Sequence, residues 1–225
     1  PLTAPAAKRR EILSLRYRSG GNLTTMDEMK DRVIFGLENL PPQARGGALT
    51  IGNFDGVHRG HQEILRTARH LAVGDGPVGA MTFDPPPDLV VRPADKPQRL
   101  VPTAEKCRLL LAAGADFVAV ARADRALLGM EPGEFLDRIL LERFAPRYIL
   151  EGPDFFFGRN RGGDVAFLQA AGRQKGFGVC VVSPVTVELS GRLQTVSSTL
   201  IRSLVAAGRV EDAAYCLGRP FTLFG

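Results

Sequence analysis

Two of the three histidines in this 225-residue chain lie within the segment 52–61, which reads GNFDGVHRGH. An apolar run precedes the segment and a helical pattern follows it, which predicts a turn between a strand and a helix. The first turn of a helix offers unpaired N–H groups and the positive end of the helix dipole to an anion. Two imidazoles suit a phosphoryl group that gains charge in its transition state. We therefore predict that His58 and His61 belong to a phosphate site.

Other interpretations of this segment stay open. A single histidine often caps a helix or packs in the core, and the second could be a chance neighbour. A structural zinc site is disfavoured, because no cysteine or acidic cluster offers a third ligand at suitable spacing. Gly60 would let a phosphate approach the backbone, and Asp55 followed by Gly56 indicates a turn-former rather than a catalytic acid. Asn53 would either face a ligand or hold the loop together.

Two further segments have the composition of binding sites. Residues 197–202 read SSTLIR, so hydroxyls at a helix start are followed one turn later by Arg202, an arrangement that binds phosphate. The same letters also describe an ordinary N-cap and an exposed arginine. Residues 152–164 read GPDFFFGRNRGGD, and three consecutive aromatic residues could form the wall of a pocket for a flat ring. The plain alternative is that the loop folds its aromatic side chains into the core.

Alternating apolar runs and helical periods must position these segments. Five strands are predicted, at Ala48–Gly52, Val78–Phe83, Phe117–Ala121, Tyr148–Glu151 and Gly178–Val182. Helices are predicted at His61–Ala72, Thr103–Ala113 with Thr103 as cap, Pro132–Phe144, Asp164–Lys175 with Asp164 as cap, from Ser197 or Ser198 to Ala207, and Val210–Leu217. Prolines should keep the segment from Asp84 to Pro102 extended, and Val185–Leu189 with Leu193–Val196 should form a hairpin.

This order of elements predicts an α/β, Rossmann-like, doubly wound fold with a mainly parallel five-stranded sheet, followed by a short C-terminal hairpin and helices. In such a fold the ligand binds at the carboxyl ends of the strands. The loops that follow the strands at 48–52, 78–83 and 148–151 should therefore share one edge of the sheet. That edge is where we expect the site.

Composition excludes several classes of protein. Hydrophobic residues make up 44% and charged residues 24%, which is ordinary for a globular protein, and no apolar run is long enough to cross a bilayer. The net charge is +5, but five basic residues against one acidic residue lie in residues 1–25, so a nucleic-acid surface on the folded body is disfavoured. Three scattered cysteines predict reduced thiols and a cytoplasmic location.

The first 25 residues show no sustained period, and we predict a disordered or non-native tail there. Met26 is a plausible initiator, with an Arg-rich presequence as the alternative. The folded domain is expected to span residues 26–225.

Taken in order, the motifs resemble the adenylyltransferase module of FAD synthetase, from the bacterial bifunctional riboflavin kinase/FMN adenylyltransferase family. The resemblance extends from Val33 to about Phe221. It rests on five segments: 52–62, which carries that family's version of the nucleotidyltransferase HxGH signature, 82–85 (TFDP), 152–164, 197–202 and 217–221 (LGRPF).

The resemblance implies a nucleotidyltransferase that joins ATP and FMN into FAD and releases pyrophosphate, with Mg²⁺ held mainly by phosphate oxygens and not by direct protein ligands. It implies small-molecule partners only, with neither nucleic acid nor membrane. It implies catalytic roles for His58, His61 and Arg202. The implied ATP contacts are Gly52, Asn53, Phe54, His58, Gly60, His61, Ser198, Thr199 and Arg202. The implied FMN contacts are Asp84, Asp154, Phe155 and Phe157.

The chain departs from the family pattern at three points. Pro86 replaces a usual histidine, Thr195 stands where a basic residue is frequent, and no Pro-Thr-Ala-Asn kinase motif occurs. We expect the chain to be a fragment of a longer protein that could also carry riboflavin kinase, with a natural single-module enzyme as the other possibility. Two alternative functions stay open: transfer to another acceptor, such as phosphopantetheine or nicotinamide mononucleotide, and a non-catalytic flavin- or nucleotide-binding module.

Overall fold

The computed structural model describes residues 29–72, 74, 76–91 and 98–224. The predicted tail over residues 1–25 and the prolines at 93 and 97 lie outside the described residues. Within the described part the strands are β1 Val33–Phe35, β2 Ala48–Ile51, β3 Val78–Phe83, β4 Phe117–Ala121, β5 Tyr148–Glu151, β6 Phe156–Phe157, β7 Gly163–Asp164, β8 Gly178–Val181, β9 Thr186–Leu189 and β10 Arg192–Thr195.

The main sheet of the described residues has six parallel strands in the order β1-β4-β3-β2-β5-β8. The doubly wound, parallel fold class is therefore confirmed, but the predicted number of five strands was one too few. The additional strand is β1, which pairs with β4 at the edge of the sheet. Its three residues are too short to show a period in the sequence.

The α-helices of the described residues are α1 Arg59–Leu71, α2 Pro87–Val91, α3 Thr103–Ala112, α4 Arg125–Leu128, α5 Pro132–Glu134, α6 Val165–Lys175, α7 Ser198–Ala206 and α8 Val210–Leu217. A π-helix, Phe135–Phe144, continues α5, and short 3-10 helices span Leu37–Asn39, Pro42–Ala44 and Arg159–Arg161. The predicted caps Asp164 and Ser197 are confirmed, because their side chains accept hydrogen bonds from Phe167 N at 2.8 Å and Leu200 N at 3.1 Å.

Two local predictions were wrong. Pro87–Val91 was expected to be extended and is a short helix, because proline is well tolerated at the first position of a helix, where its missing N–H would have no partner. Thr103 was expected to cap its helix but is the first residue of α3, and Pro102 occupies the cap position without a side-chain hydrogen bond.

Helices cover both faces of the sheet. On one face, α1 and α3 pack Leu65, Ala68 and Leu110 against Val78 and Val118 of the strands. On the other face, the π-helix and α6 enclose a second cluster that contains Leu49, Met81, Leu140 and Leu168. A third and smaller cluster joins α7, α8 and the β9–β10 hairpin. The sheet is therefore buried on both sides, as its continuous apolar strands require.

The order of the strands in the sheet indicates where a ligand crevice should lie. From β2 the chain winds towards β3 and β4, whereas β5 and β8 extend the sheet in the opposite direction. The strand order thus reverses at the boundary between β2 and β5. In open α/β sheets the ligand crevice lies at the carboxyl ends of the strands beside such a reversal.

The packing of α1 on the sheet is testable. Leu65 is fully buried and Leu71, on the same helix, is 38% exposed. We expect Leu65→Ala to lower the free energy of unfolding by about 2–5 kcal/mol and Leu71→Ala by less than about 1 kcal/mol, because only the first leaves a buried cavity. Urea denaturation of both variants measures the difference, and equal losses would contradict this packing.

A candidate active site at the carboxyl edge of the sheet

His58 and His61 lie against each other at the start of α1. His58 occupies the N-cap position, and the helix begins at Arg59, two residues before the predicted start at His61. The two imidazole rings stack with centroids 3.6 Å apart and an angle of 20° between their planes. Phe54 meets the ring of His61 edge-on at 5.1 Å. The Nδ1 atoms of both histidines are buried without a hydrogen-bond partner within the described structure, and neither histidine lines the cavity described below.

The loop before the helix is backbone-strained and held by the C-terminal segment. Phe54 and Val57 adopt left-handed conformations with φ of 48° and 42°, which are unfavourable for side chains of this kind. Arg219 Nη2 donates to Gly56 O at 2.7 Å, and Gln62 Nε2 donates to Val57 O at 2.8 Å. These contacts stabilise a loop conformation that the local sequence alone would disfavour.

Gly60 lies against the ring of His58. A Cβ atom at this position would lie 3.2 Å from Cε1 and Nδ1 of His58. The absence of a side chain at Gly60 therefore makes room for the imidazole of His58. Gly52 is similar, since a Cβ atom there would lie 3.2 Å from the ring of Phe54.

Burial makes both histidines weak bases. Desolvation lowers the pKa of His58 to about 4, and the Arg219 guanidinium acts in the same direction, while Asp55 opposes it. Desolvation also lowers the pKa of His61 well below its usual value, aided by electrostatic interactions with His58 and Lys106. Both imidazoles are therefore neutral at neutral pH. Bound phosphates would favour the charged form and raise these pKa values.

Asp55 connects three segments at the carboxyl edge of the sheet. The sequence predicted only a turn-forming role for it. Its carboxylate accepts hydrogen bonds from Leu100 N at 3.0 Å and from Arg202 Nη2 at 2.6 Å. Its backbone oxygen accepts from Ser198 Oγ at 2.7 Å. The start of α7 and the segment that leads into α3 are thereby attached to the histidine loop.

A cavity of about 230 Å³ opens between these elements. Its lining contains Asn53, Ser198, Thr199 and Arg202, which the sequence had singled out, and the Oδ1 atom of Asn53 is buried without a partner in the described structure. The remaining lining residues are Asp55, Pro86, Asp88, Leu89, Arg99, Val101, Thr103 and Lys106. The structure thus brings the start of α7 and the loop after β2 together around one cavity.

Lys106 and Arg99 are cavity residues that the sequence reasoning missed. Lys106 lies in α3, one helical turn before the buried Leu109 and Leu110. A lysine in register with the apolar face of a helix was the available signal. Arg99 Nη1 lies 3.4 Å from Oδ1 of Asp84, which was predicted as an FMN contact. Arg99 therefore connects Asp84 to the cavity wall.

The three phenylalanines of the aromatic loop differ in burial. Phe157 is 7% exposed and packs in the core with Phe135. Phe157 is therefore the predicted FMN contact that other protein atoms cover. Phe155 is partly buried and stacks on Phe157 at 5.6 Å, while Phe156 is 44% exposed beneath the guanidinium of Arg161. The exposed Asp154 lies in the same loop, which does not line the cavity described above.

Comparison with known proteins identifies the family. A model described as FAD synthetase matches residues 40–200. The chain belongs to the FAD synthetase family. The resemblance drawn from the motifs is therefore confirmed.

Two curated relatives are named bifunctional riboflavin kinase/FMN adenylyltransferase. The Pseudomonas fluorescens protein is 41% identical over 195 residues, which cover 86% of this chain and 61% of that protein. The Escherichia coli K12 protein is 34% identical over 196 residues, with coverages of 86% and 61%. The chain thus spans about three fifths of the length of these FAD synthetase relatives.

A solved structure shares the fold. The crystal structure titled a macrolide-efflux protein from Streptococcus pneumoniae is 25% identical and superposes with a TM-score of 0.71, covering 84% of this chain and 60% of that one. In this FAD synthetase domain, no helix among the described residues is both long enough and apolar enough to pass through a bilayer.

Glu151 is a further residue of this FAD synthetase domain that the sequence did not single out. It is 3% exposed, and its Oε1 accepts from Ile51 N at 2.6 Å. The β2–β5 ladder ends at the pair Leu49–Ile149, so the carboxyl of Glu151 replaces a strand–strand hydrogen bond where the order of the sheet reverses. Burial raises the pKa of Glu151 well above its usual value, which favours the neutral acid.

The roles of Glu151 and His58 are tested in different ways. For Glu151, the acceptor oxygen is what matters to Ile51 N–H. Glu151→Gln keeps that acceptor and should change the free energy of unfolding by less than about 1 kcal/mol, whereas Glu151→Leu should cost about 1–3 kcal/mol. Chemical denaturation of the matched pair checks this, and equal stability of the two variants would refute the role of the hydrogen bond.

For His58, a lowered pKa predicts acid sensitivity. Between about pH 6.5 and about pH 4 the imidazole of His58 binds a proton more readily in the unfolded chain than in the folded protein. Its contribution to the free energy of unfolding is therefore fully present above about pH 6.5 and is lost as the pH falls towards about 4. His58→Gln should therefore reduce the stability lost between about pH 7.5 and about pH 5 by about 2 kcal/mol. Urea denaturation at both pH values measures it, with the exposed His70→Gln as control. An unchanged acid loss in His58→Gln would contradict the lowered pKa.

Proposed function

We propose that this FAD synthetase domain transfers the adenylyl group of ATP to FMN, giving FAD and pyrophosphate. The single observation that carries the proposal is the stacked pair of imidazoles at the start of α1, on a loop whose Asn53 and Asp55 line one cavity with Ser198, Thr199 and Arg202. The family and the names of its curated relatives support the same chemistry.

The residues suggest how the transfer would proceed. An oxygen of the FMN phosphate attacks the α-phosphorus of ATP, the bond from that phosphorus to the bridging oxygen breaks, and pyrophosphate leaves with the electron pair. His58 and His61 would donate hydrogen bonds to the α-phosphate as negative charge develops on it. No covalent bond to the protein forms in this sequence of events.

Arg202, with Ser198 and Thr199, would hold the departing phosphates. Its Nε donates to Gln98 O at 2.8 Å and its Nη2 to Asp55, which fixes the guanidinium at the cavity wall. A guanidinium has five N–H donors, so donors remain for phosphate oxygens. Asn53, Phe54, Gly52 and Gly60 would contribute by shaping the loop against the nucleotide.

Mg²⁺ fits this arrangement as a partner of the phosphates. Among the described residues no group of three His, Cys, Asp or Glu side chains could hold a metal ion. Mg²⁺ commonly uses one or two protein oxygens together with substrate phosphates. Asn53, which lines the cavity and whose buried Oδ1 has no partner in the described structure, would be the protein residue suited to it. The ion would neutralise phosphate charge.

The flavin would lie towards the aromatic loop. Phe155 and the exposed Asp154 follow β5, the neighbour of β2, at the same edge of the sheet as the histidines. Phe157 would act by supporting Phe155 from below, and Asp84 by orienting Arg99 at the rim. We further propose that the enzyme works in the cytoplasm, where the free thiols Cys107 and Cys216 would stay reduced.

The test is incubation with MgATP and a panel of phosphorylated acceptors, followed by pyrophosphate release and FAD fluorescence. Release with FMN alone supports the proposal. Release with phosphopantetheine or nicotinamide mononucleotide instead would identify a different nucleotidyltransferase. Binding of FMN or ATP without release would indicate a non-catalytic module.

A substitution tests the role of the histidine pair. His58→Ala should lower kcat for FAD formation at least about a hundredfold, because it removes a donor that acts on the developing charge. His70→Ala, in the exposed part of α1, should leave kcat unchanged. Near-normal turnover by His58→Ala would refute the assigned role.

A further inference from the structure

Lys106 is a buried cation at the carboxyl ends of two neighbouring strands. The residue is 4% exposed. Its Nζ donates to Asn53 O, in the loop after β2, at 3.0 Å and to Phe83 O, at the end of β3, at 3.3 Å. Strands β2 and β3 pair in the sheet, so these contacts place the ammonium at the edge that carries the site. An ammonium has three donors, and one N–H remains beyond these two contacts.

The contacts of Lys106 differ from those of the two arginines that line the same cavity. Arg202 Nη2 lies 2.6 Å from Oδ2 of Asp55, and Arg99 Nη1 lies 3.4 Å from Oδ1 of Asp84. The two oxygens that accept from Lys106 belong to neutral backbone carbonyls. A buried charge is costly unless a group of opposite sign compensates it. An anion bound in the cavity would supply that compensation.

Lys106 shares its cavity with Ser198, Thr199 and Arg202. A phosphate in this cavity would therefore have hydroxyl and guanidinium donors from α7 on one wall and the ammonium of α3 on another. Burial lowers the pKa of the ammonium, and the negative charge of a bound phosphate would raise it again. The positions of these side chains thus favour one anion site that is built from both helices.

In the proposed function, Ser198, Thr199 and Arg202 hold the phosphates of ATP that leave as pyrophosphate. We propose that Lys106 binds these same departing phosphates. It stabilises the negative charge that they gain as the bond between the α-phosphorus and the bridging oxygen breaks. This inference rests on the proposed function, with ATP as the donor of the adenylyl group. It adds a cation from α3 to a group of phosphate ligands that lay on α7 alone.

The experiment compares pyrophosphate with AMP, which has the adenosine and the α-phosphate of ATP and lacks the departing phosphates. Lys106→Met keeps an unbranched apolar side chain and removes the charge. In this variant the affinities for pyrophosphate and for ATP should each fall at least about tenfold, as for a lost charge-assisted hydrogen bond. The affinities for AMP and FMN should stay unchanged. Titration calorimetry in the presence of Mg²⁺ measures all four.

Two further variants complete the experiment. Lys175→Met removes an exposed lysine that pairs with Asp137 at 2.9 Å, and it should bind all four ligands as the native protein does. Lys106→Gln keeps a donor for the carbonyl oxygens without the charge, so it replaces Lys106→Met if that variant does not fold. It should show the same selective loss of affinity for pyrophosphate and ATP.

Several outcomes would overturn the inference. If both Lys106 variants bind pyrophosphate and ATP as tightly as the native protein, the lysine only ties the two loops together. If FMN affinity falls while pyrophosphate affinity is kept, Lys106 serves the acceptor and not the departing phosphates. An equal fall in all four affinities would assign the lysine to the structure of the site. A native protein that binds pyrophosphate but forms no FAD would refute the proposed function instead, so the two failures are distinguishable.

Discussion

The ion pair between Asp55 and Arg202 is the interaction on which the site depends. It joins the loop after β2 to α7 across a sequence separation of 147 residues, with a distance of 2.6 Å between Oδ2 and Nη2. The same carboxylate accepts from the backbone of Leu100 and so positions the approach to α3. Both side chains are only partly exposed, so solvent screens this pair less than a surface ion pair. The hydrogen bond from Ser198 Oγ to Asp55 O, at 2.7 Å, joins the same two walls of the cavity.

A second constraint is the conformation of the histidine loop. The left-handed backbone conformation at Phe54 and Val57 costs free energy. This conformation persists because contacts with the surrounding structure stabilise it. Arg219 and Gln62 supply that support from the C-terminal segment and from α1 itself. The LGRPF segment is therefore part of the site's framework, although none of its residues was assigned a binding role. This explains how a motif far along the chain can matter to the imidazole geometry.

The reversal of strand order explains why the polar groups gather at one place. Strands β2 and β5 stop pairing after Leu49 and Ile149, and Glu151 occupies the gap as an acceptor for Ile51. Neighbouring strand ends then deliver the histidine loop, the Asp84 loop and the aromatic loop to the same edge. Desolvation lowers the pKa values of both imidazoles, and the cavity wall contains Arg99, Lys106 and Arg202. Such a site is suited to receive phosphates and to concentrate positive charge around them.

The sequence by itself determined the parallel α/β fold, five of the six strands, the caps at Asp164 and Ser197, and the family, because apolar periodicity and local motifs are written along the chain. It could not reveal β1, whose three residues gain their hydrogen bonds only from β4. Nor could it separate Phe157 in the core from Phe156 at the surface, since three identical letters carry no difference in burial. The neutral histidines, the role of Asp55 as a tie, and the ammonium of Lys106 in the cavity were decided by tertiary structure. Each depends on groups that are distant in sequence, and on a desolvation that exists only once the sheet and its helices have packed together.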